Sequence, residues 1–114
     1  MSTDATTPPQ IIITILHKRA EGMTFDLEYF LKTHILLAAE HWRPYGLLGA
    51  TITEGPNDSE YAYIVSISFK SADGWQKAVA DPSIGVIMQD VSKFTNGKPE
   101  FLVGKVVEGG IISV

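Results

Sequence analysis

The sequence predicts a small α+β domain whose strands and helices follow the order βαββαβ. Four short segments are rich in β-branched and aromatic residues, as strands are. Two longer regions repeat apolar residues at steps of three and four, as helices do. Glycine, proline and asparagine separate these segments. A chain of 114 residues, 45% of them apolar, is long enough to bury one hydrophobic core.

The first strand is predicted from Ile11 to Arg19, after a small and polar segment, residues 1–10, that we expect to be a flexible tail. Its two faces are Ile11, Ile13, Ile15 and His17 on one side and Ile12, Thr14, Leu16 and Lys18 on the other. Both faces are mostly apolar. A strand of this kind is covered on both sides, so its sheet needs a second layer beyond its own helices.

The first helix is predicted between Phe25 and Trp42, with Thr24 as its N-cap. Spacing places the following residues on one helix face: Leu27, Phe30, Leu31, His34, Leu37, Ala38 and His41. His34 therefore occupies a position at which a helix normally places leucine. Pro44 requires the helix to end before it.

Two further strands, Leu47–Gly55 and Tyr61–Lys70, are expected to be joined by a hairpin connection, and a last strand covers Phe101–Val107. Between the third and last strands lie two helical segments. They are the segment that follows the N-cap Ser71, and the segment that follows Asp81 and Pro82 and continues to Val91, with a break expected at Gly85. We therefore predict a single domain over residues 11–108, followed by a short C-terminal tail, residues 109–114.

Charge and composition exclude several classes of function. Nine basic and 13 acidic residues give a net charge of −4, and no basic cluster exceeds Lys18-Arg19, so no nucleic acid partner is expected. The absence of cysteine excludes disulfides, thiolate metal sites and a cysteine nucleophile. The early apolar run Ile11–Leu16 is too short to span a membrane and lacks the features of a signal peptide. We expect a cytoplasmic protein without a membrane partner.

Right-handed crossovers convert this element order into a four-stranded antiparallel sheet with both helices on one face, the ferredoxin-like arrangement. The opposite face of the sheet is then bare. Because the strands are apolar on both sides, we expect the same face of a second copy to cover it, which makes a homodimer with two-fold symmetry.

Several motifs in a fixed order resemble a known family. They are Lys18-Arg19, Gly22 and the run Phe25–His34; Tyr45-Gly46-Leu47; Asp90 with Phe94; and Phe94-Thr95-Asn96 leading to Pro99 and Leu102–Val107. Together they resemble the EthD-like family of the dimeric α/β-barrel superfamily over nearly all of residues 11–107. The resemblance implies a dimer that forms an α/β barrel, with a small-molecule pocket in each subunit between sheet and helices. Members of the superfamily include cofactor-free monooxygenases, polyketide cyclases, decarboxylases, lactone isomerases and haem-binding proteins.

Two positions depart from the family pattern. Leu36 stands where the family commonly has proline, which predicts a helix that continues straight. Phe30 stands where a second tyrosine usually follows Tyr29, so the hydroxyl nearer His34 is missing. Any chemistry that relatives perform with that hydroxyl is therefore closed to this protein.

His34 is the candidate catalytic residue, because an imidazole exchanges protons near neutral pH. Periodicity alone favours a core histidine bonded to a backbone carbonyl, whereas the family resemblance favours an acid/base role. The candidate substrate-binding residues are Phe30, Ala38, His41, Tyr61, Tyr63, Met88 and Phe94. For the two tyrosines, a packed ring with its hydroxyl at the edge is the alternative. His41 lies about 10.5 Å from His34 along the helix axis, too far to share an ion, so no metal is expected.

Three other polar residues are given structural roles. His17 is expected at a solvated strand end. Tyr29 lies about 140° around an α-helix from His34, so we expect it to pack against the sheet or the dimer partner. Asp90 is expected to cap or pair locally.

The sequence thus favours a cofactor-independent enzyme that acts on a hydrophobic aromatic or polyketide-type small molecule. Its class would be decarboxylase, cyclase or dehydratase, or monooxygenase, and His34 would move a proton at a carbon next to a carbonyl. Two alternatives remain open: a non-catalytic binding or carrier protein with the same pocket, and a haem-binding member of the superfamily.

Overall fold

The computed structural model describes residues 7–114, so residues 1–6 of the expected tail lie outside the described part of the chain. The strands are β1 (Ile11–Lys18), β2 (Leu47–Glu54), β3 (Tyr61–Phe69) and β4 (Glu100–Lys105). The helices are α1 (Leu27–Tyr29), α2 (Ile35–Trp42), α3 (Ala72–Ala80) and α4 (Ile84–Asp90). A π-helical segment, Phe30–His34, joins α1 to α2, and 3₁₀ turns follow α2 at Arg43–Tyr45 and α4 at Val91–Lys93.

The four strands form one antiparallel sheet in the order β2-β3-β1-β4, which confirms the ferredoxin-like fold. In the register, Ile13 on β1 lies between Ile67 on β3 and Val103 on β4. The helix-facing side chains of the two central strands are buried: Ile11, Ile13, Val65, Ile67 and Phe69. Because side chains alternate across a strand, the intervening residues point to the other face of the sheet.

This other face carries no helix in the part of the chain that the structure describes. Its central residues are small or aliphatic, and Thr14 lies opposite Ser66, which in turn lies opposite Thr51 on β2. On the edge strand, Leu102 is 59% exposed. The face is therefore a broad surface of small and aliphatic side chains, without charged side chains at its centre.

The first helix begins two residues later than predicted. The N-cap is Asp26, whose Oδ1 accepts a hydrogen bond from the Tyr29 N–H at 3.0 Å. Thr24 is wrong as a cap because the loop before β4 holds it instead. Its carbonyl accepts a bond of 2.7 Å from the Thr95 hydroxyl, and its N–H donates to the side chain of Asn96.

The prediction of one regular α-helix is also wrong. Within the π segment, the N–H of Ile35 donates to the carbonyl of Phe30, an i→i+5 bond in place of the usual i→i+4 bond. The π segment is followed directly by α2, which contains Leu36 near its start.

The second crossover confirms Ser71 as an N-cap, since its hydroxyl accepts a 3.0 Å bond from the Gly74 N–H. The break between α3 and α4 lies at residues 81–83, and Gly85 lies inside α4. The reason is local hydrogen bonding, because Asp81 accepts from the Ser83 N–H at 2.8 Å and so forms the turn itself.

The last strand ends at Lys105, two residues before the predicted end. Beyond it, Val107, Ile111, Ile112 and Val114 are exposed and lie in no helix or strand. The division into one domain and two tails stays a prediction. Within residues 7–114, no helix has the length and apolar character needed to cross a lipid bilayer.

A candidate active site between sheet and helices

A cavity of about 410 Å³ lies between the helix-facing side of the sheet and the helices. Its wall is built from aliphatic and aromatic side chains together with two histidines, among them Ile15, His17, Phe30, His34, Ala38, Trp42, Val65, Ile67, Ile87, Met88, Phe94, Phe101 and Val103. Met88, Phe101 and Val103 are exposed wall residues and mark the mouth of the cavity beside β4. The volume suits a small organic molecule.

His34 is placed by the π segment, and it is 7% exposed. Its Nδ1 lies 3.0 Å from Oδ2 of Asp90, the last residue of α4, which is 6% exposed. The other oxygen of the same carboxylate, Oδ1, accepts a 2.8 Å hydrogen bond from the Tyr29 hydroxyl. Lys93 approaches Oδ1 at 3.5 Å from the surface. One buried carboxylate therefore holds two side chains of the first helical stretch.

The charge state of Asp90 follows from these contacts. Burial alone raises the pKa of Asp90, but the hydrogen bonds from His34 and Tyr29, with the positive charges of His34 and Lys93, hold it below its ordinary value. The hydrogen bond to Asp90, then burial and the nearby negative charge, raise the pKa of Tyr29, so its hydroxyl keeps the proton that it donates.

An ionised carboxylate only accepts hydrogen bonds, so Nδ1 of His34 carries the hydrogen in this pair. When this ring is neutral, its lone pair is on Nε2. No hydrogen-bond partner for Nε2 lies among residues 7–114, and packing does not seal the atom, because the only fully enclosed and unpartnered side-chain polar atom of this part of the chain is Trp42 Nε1. Since His34 lines the cavity, its basic nitrogen opens onto the cavity.

The shared carboxylate corrects the expectation for Tyr29. The angle of 140° between Tyr29 and His34 assumed an α-helix, whereas the π segment that follows Tyr29 has i→i+5 hydrogen bonds and turns less per residue, which brings the side chains of Tyr29 and His34 closer to the same side. Asp90 is likewise more than a local cap. It lies 56 residues from His34 in the chain, so no helical spacing pointed to the pair. The one indication of a larger role for Asp90 in the sequence was that Asp90 and Phe94 together resemble a motif of the EthD-like family.

His17 lies in the cavity wall and is 4% exposed, so the expectation of a solvated strand end is wrong. Three phenylalanine rings enclose it edge-on, with ring centroids 5.0 Å away for Phe25 and 5.9 Å away for both Phe30 and Phe94. Burial, and to a smaller extent the charge of His34, lower its pKa to about 4, so the ring is neutral at pH 7. The sequence did contain an indication of this burial, because strand alternation places His17 on the same face as Ile13.

Of the other candidate binding residues, the structure brings Phe30, Ala38, Met88 and Phe94 to the cavity wall. It does not bring His41, Tyr61 or Tyr63 there. Among helix residues, the wall follows i+4 steps through His34, Ala38 and Trp42, which leaves His41 to one side.

The two tyrosines of β3 lie outside the cavity wall. The Phe25 ring packs against the Tyr63 ring with a centroid distance of 4.5 Å, and neither ring lines the cavity. Tyr61 lies opposite Lys18, beyond the register shift that ends the regular pairing of β1 with β3. Burial and the charge of Glu60 raise the pKa of Tyr61 at this strand end. In residues 7–114, no group of three or more histidine, aspartate or glutamate side chains is arranged to hold a metal ion.

The family model of the EthD domain matches residues 20–98 of the chain. The chain belongs to the EthD family. The matched span includes Tyr29, His34 and Asp90, all three members of the buried hydrogen-bonded group. Among curated proteins, no sequence match is found.

Solved structures show the same fold. An EthD-like protein from Ralstonia eutropha JMP134 is similar with a TM-score of 0.77 and 18% identity, over 87% of this chain and 93% of that chain. SnoaB, a cofactor-independent oxygenase from Streptomyces nogalater, has a TM-score of 0.60 and 12% identity over 86% and 93%. A dimeric ferredoxin-like protein from an uncultured marine organism has a TM-score of 0.59 and 21% identity over 98% and 97%. At these identities the similarity establishes the fold.

Proposed function

We propose that this EthD protein is a cofactor-independent enzyme that moves a proton on a hydrophobic aromatic or polyketide-type molecule, with His34 as the general base and acid. The observation that carries the proposal is the buried pair of Asp90 and His34 at the wall of an otherwise apolar cavity. The fold similarity to SnoaB, which is a cofactor-independent oxygenase, supports the same reaction class.

The pair has the parts that general base catalysis requires. Asp90 accepts the Nδ1 hydrogen and so fixes the tautomer in which Nε2 is the base. When a C–H bond of the substrate breaks, its electron pair moves toward a conjugated carbonyl and the proton moves to Nε2. Asp90 stabilises the resulting imidazolium, and the apolar wall strengthens this attraction by excluding water.

The proton on Nε2 then returns to carbon or passes to a leaving group. The reaction class depends on the substrate. In an acid, the C–C bond to the carboxylate breaks in place of a C–H bond, carbon dioxide leaves, and protonated His34 supplies the proton that the carbon takes up. An alcohol loses water after the C–H bond breaks, because the proton passes to the departing hydroxide. An oxygenation takes dioxygen as co-substrate, of which one oxygen atom enters the product and the other leaves as water. Asp90 and Tyr29 do not line the cavity and act as positioning residues.

Deuterium exchange tests the proton transfer without knowledge of the later steps. The protein is incubated in D₂O under nitrogen with anthrone, an aromatic ketone with a weakly acidic C–H, and deuterium uptake is measured by mass spectrometry. We expect the wild type to accelerate uptake and His34→Ala to lose about 10²–10⁴-fold of that acceleration.

His41→Ala is the matched control, because it removes a histidine of the same helix that lies outside the cavity wall, and we expect it to exchange as the wild type does. A folded His34→Ala variant that exchanges at the wild-type rate would overturn the proposal. The same screen extends to β-keto aromatic acids and phenolic lactones. Tight binding without exchange or turnover on all of them would favour the carrier protein, which needs only the apolar cavity.

We also infer a homodimer that forms through the bare face of the sheet. The face has small central residues and an exposed Leu102, and the similar marine protein is dimeric. Ser66→Arg places a charge at the centre of this face and should give a monomer in sedimentation velocity. Gln76→Arg adds the same charge on the exposed side of α3 and should remain dimeric. A wild-type monomer at micromolar concentration would refute the dimer.

A further inference from the structure

The proposed mechanism uses one of the two histidines in the cavity wall, and the second, His17, has no assigned partner. It lies on the helix-facing side of β1, opposite Tyr63 on β3. Within residues 7–114, neither of its ring nitrogens takes part in a hydrogen bond, and its three ring neighbours are phenylalanines. A polar ring that is buried without a partner is rare in native structures and needs an explanation.

His17 lines the cavity, and neither of its unpaired nitrogens is fully enclosed. Neither nitrogen is sealed by packing, since Trp42 Nε1 is the only enclosed polar side-chain atom without a partner in the described chain. His17 lines the cavity and has almost no surface elsewhere. A molecule in the cavity is therefore placed to supply the missing hydrogen bond.

His34 borders the same part of the cavity as His17. The Phe94 ring contacts both imidazoles, with centroid distances of 5.9 Å to His17 and 4.6 Å to His34. The Phe30 ring does the same at 5.9 Å and 5.6 Å. The two histidines thus flank one pair of phenylalanines and face one cavity.

The two imidazoles differ in what they offer to a ligand. The carboxylate of Asp90 orients the neutral His34 ring as a base, and it stabilises the imidazolium that forms when the ring takes up a proton. The ring contacts of His17 are with Phe25, Phe30 and Phe94, and its neutral imidazole carries one N–H donor and one acceptor nitrogen. A fixed neutral donor stabilises an oxygen on which negative charge develops.

We propose that His17 is a second catalytic residue, a neutral imidazole whose N–H donates to a carbonyl or phenolic oxygen of the substrate. This inference rests on the proposed function of His34. As Nε2 of His34 takes the proton, the electron pair of the broken C–H bond moves through the conjugated ring to that oxygen, and the bond from His17 strengthens. His17 itself transfers no proton. The substrate class is thereby narrowed to apolar aromatic compounds that carry an oxygen conjugated to the acidic carbon.

A matched pair of ligands tests the contact by itself. Anthrone and 9,10-dihydroanthracene share one three-ring frame, and only anthrone carries the oxygen. In equilibrium dialysis under nitrogen, we expect the wild type to prefer anthrone by about tenfold. His17→Leu should bind dihydroanthracene as the wild type does and lose the preference, whereas His17→Asn should restore part of it through its amide N–H. His34→Ala should keep the preference.

Deuterium exchange on anthrone then tests catalysis. His17→Leu should lose about 10²-fold in rate while its remaining activity still depends on His34. Circular dichroism and thermal melts verify that both His17 variants are folded.

The two proposals fail separately. If folded His17→Leu keeps the anthrone preference and the exchange rate, the role of His17 is overturned while that of His34 stands. If His34→Ala exchanges normally while His17→Leu loses the preference, the oxygen contact stands and the proton-transfer proposal falls.

Discussion

The two ends of the cavity are built from the same helix and the same sheet, yet they differ in chemical character. The histidine end consists of the wall residues His17, Phe30, His34 and Phe94. The tryptophan end consists of the wall residues Trp42 and Trp75, together with the buried core residues Phe69 and Ala78, which do not line the cavity. His34 and Trp42 are eight residues apart, about 12 Å along a helix. One side of one helix thus passes from a polar site to an ordinary core.

The tryptophan end is held by aromatic packing. The Trp42 ring meets Phe69 at 6.0 Å and Trp75 at 5.6 Å, the latter nearly perpendicular at 79°. The histidine end instead buries two imidazoles and a carboxylate and departs from α-helical geometry. We therefore expect substitutions at the tryptophan end to lower the free energy of unfolding, whereas those at the histidine end should mainly lower the rate of proton transfer.

The largest effect is expected for Asp90→Asn. An amide can donate a hydrogen bond to Nδ1, which moves the ring hydrogen to Nε2 and removes the base from the cavity. We expect anthrone exchange to fall by about 10³-fold or more in a folded protein. Lys93→Ala is the control, because Lys93 contacts the same carboxylate from the surface, and it should stay within about threefold of the wild type. An Asp90→Asn exchange rate equally close to that of the wild type would contradict a functional role for the histidine end.

The tryptophan end should respond to Trp42→Ala with a loss of about 3–5 kcal/mol in the free energy of unfolding, measured by urea denaturation. The reason is the loss of a large buried ring and the cavity left behind. Leu36→Ala removes an exposed apolar residue from the same helix and should cost about 0.5 kcal/mol or less. Equal losses for the two variants would contradict the assignment of Trp42 to the core.

The histidine end should make stability depend on pH. The folded pKa of His17 is about 4 and its ordinary value is 6.5, so between these values the unfolded chain binds a proton that the folded protein excludes. Stability should therefore fall as pH decreases from 6.5 to 4, by on the order of 3 kcal/mol.

His17→Leu should flatten the pH dependence in this window, and His41→Ala should not. The lowered pKa of Asp90 acts at lower pH, because its contribution is present above its ordinary value of 3.8 and is lost as pH falls through the folded value. Urea midpoints measured at several pH values separate the contribution of His17 from that of Asp90. An unchanged slope in His17→Leu would show that His17 is not held neutral.

The smallest effect is expected for Tyr29→Phe, which removes one of the two hydrogen bonds to Asp90 but leaves its contact with His34. We expect the exchange rate to fall by about 2- to 10-fold. Tyr45→Phe removes a matching bond from a tyrosine to Asp81, outside the cavity, and should leave the exchange rate unchanged. A similar response of both variants would assign the Tyr29 effect to stability alone.

Much of the fold could be predicted because its signals are local. The alternation in β1 correctly put His17 on the same face as Ile13, and Ser71 was correctly identified as a cap from its place before a helical pattern. The errors arose where a residue forms its hydrogen bonds with residues that are distant in the sequence. Thr24 was assigned as the cap, but Thr95 and Asn96 bond it, and neither is near it in the sequence.

The candidate site shows the same limit. Periodicity and family resemblance were enough to single out His34, and the structure brings it to the cavity wall. They assigned His41 to the site because positions seven apart share a helix face, but the face that meets the cavity is narrower than that rule assumes.

Local sequence patterns were sufficient to predict the order of elements, the antiparallel topology and a histidine on the buried side of the first helix. The groups that surround this histidine became visible in the folded protein alone. Tyr29 and His34 meet Asp90 across 61 and 56 residues of chain, and the π turn that makes them meet is not encoded in any spacing of apolar residues. The physical reason is that helical and strand periods report which side of an element is buried, whereas the partner of a buried polar group is set by the packing of elements far apart in the chain.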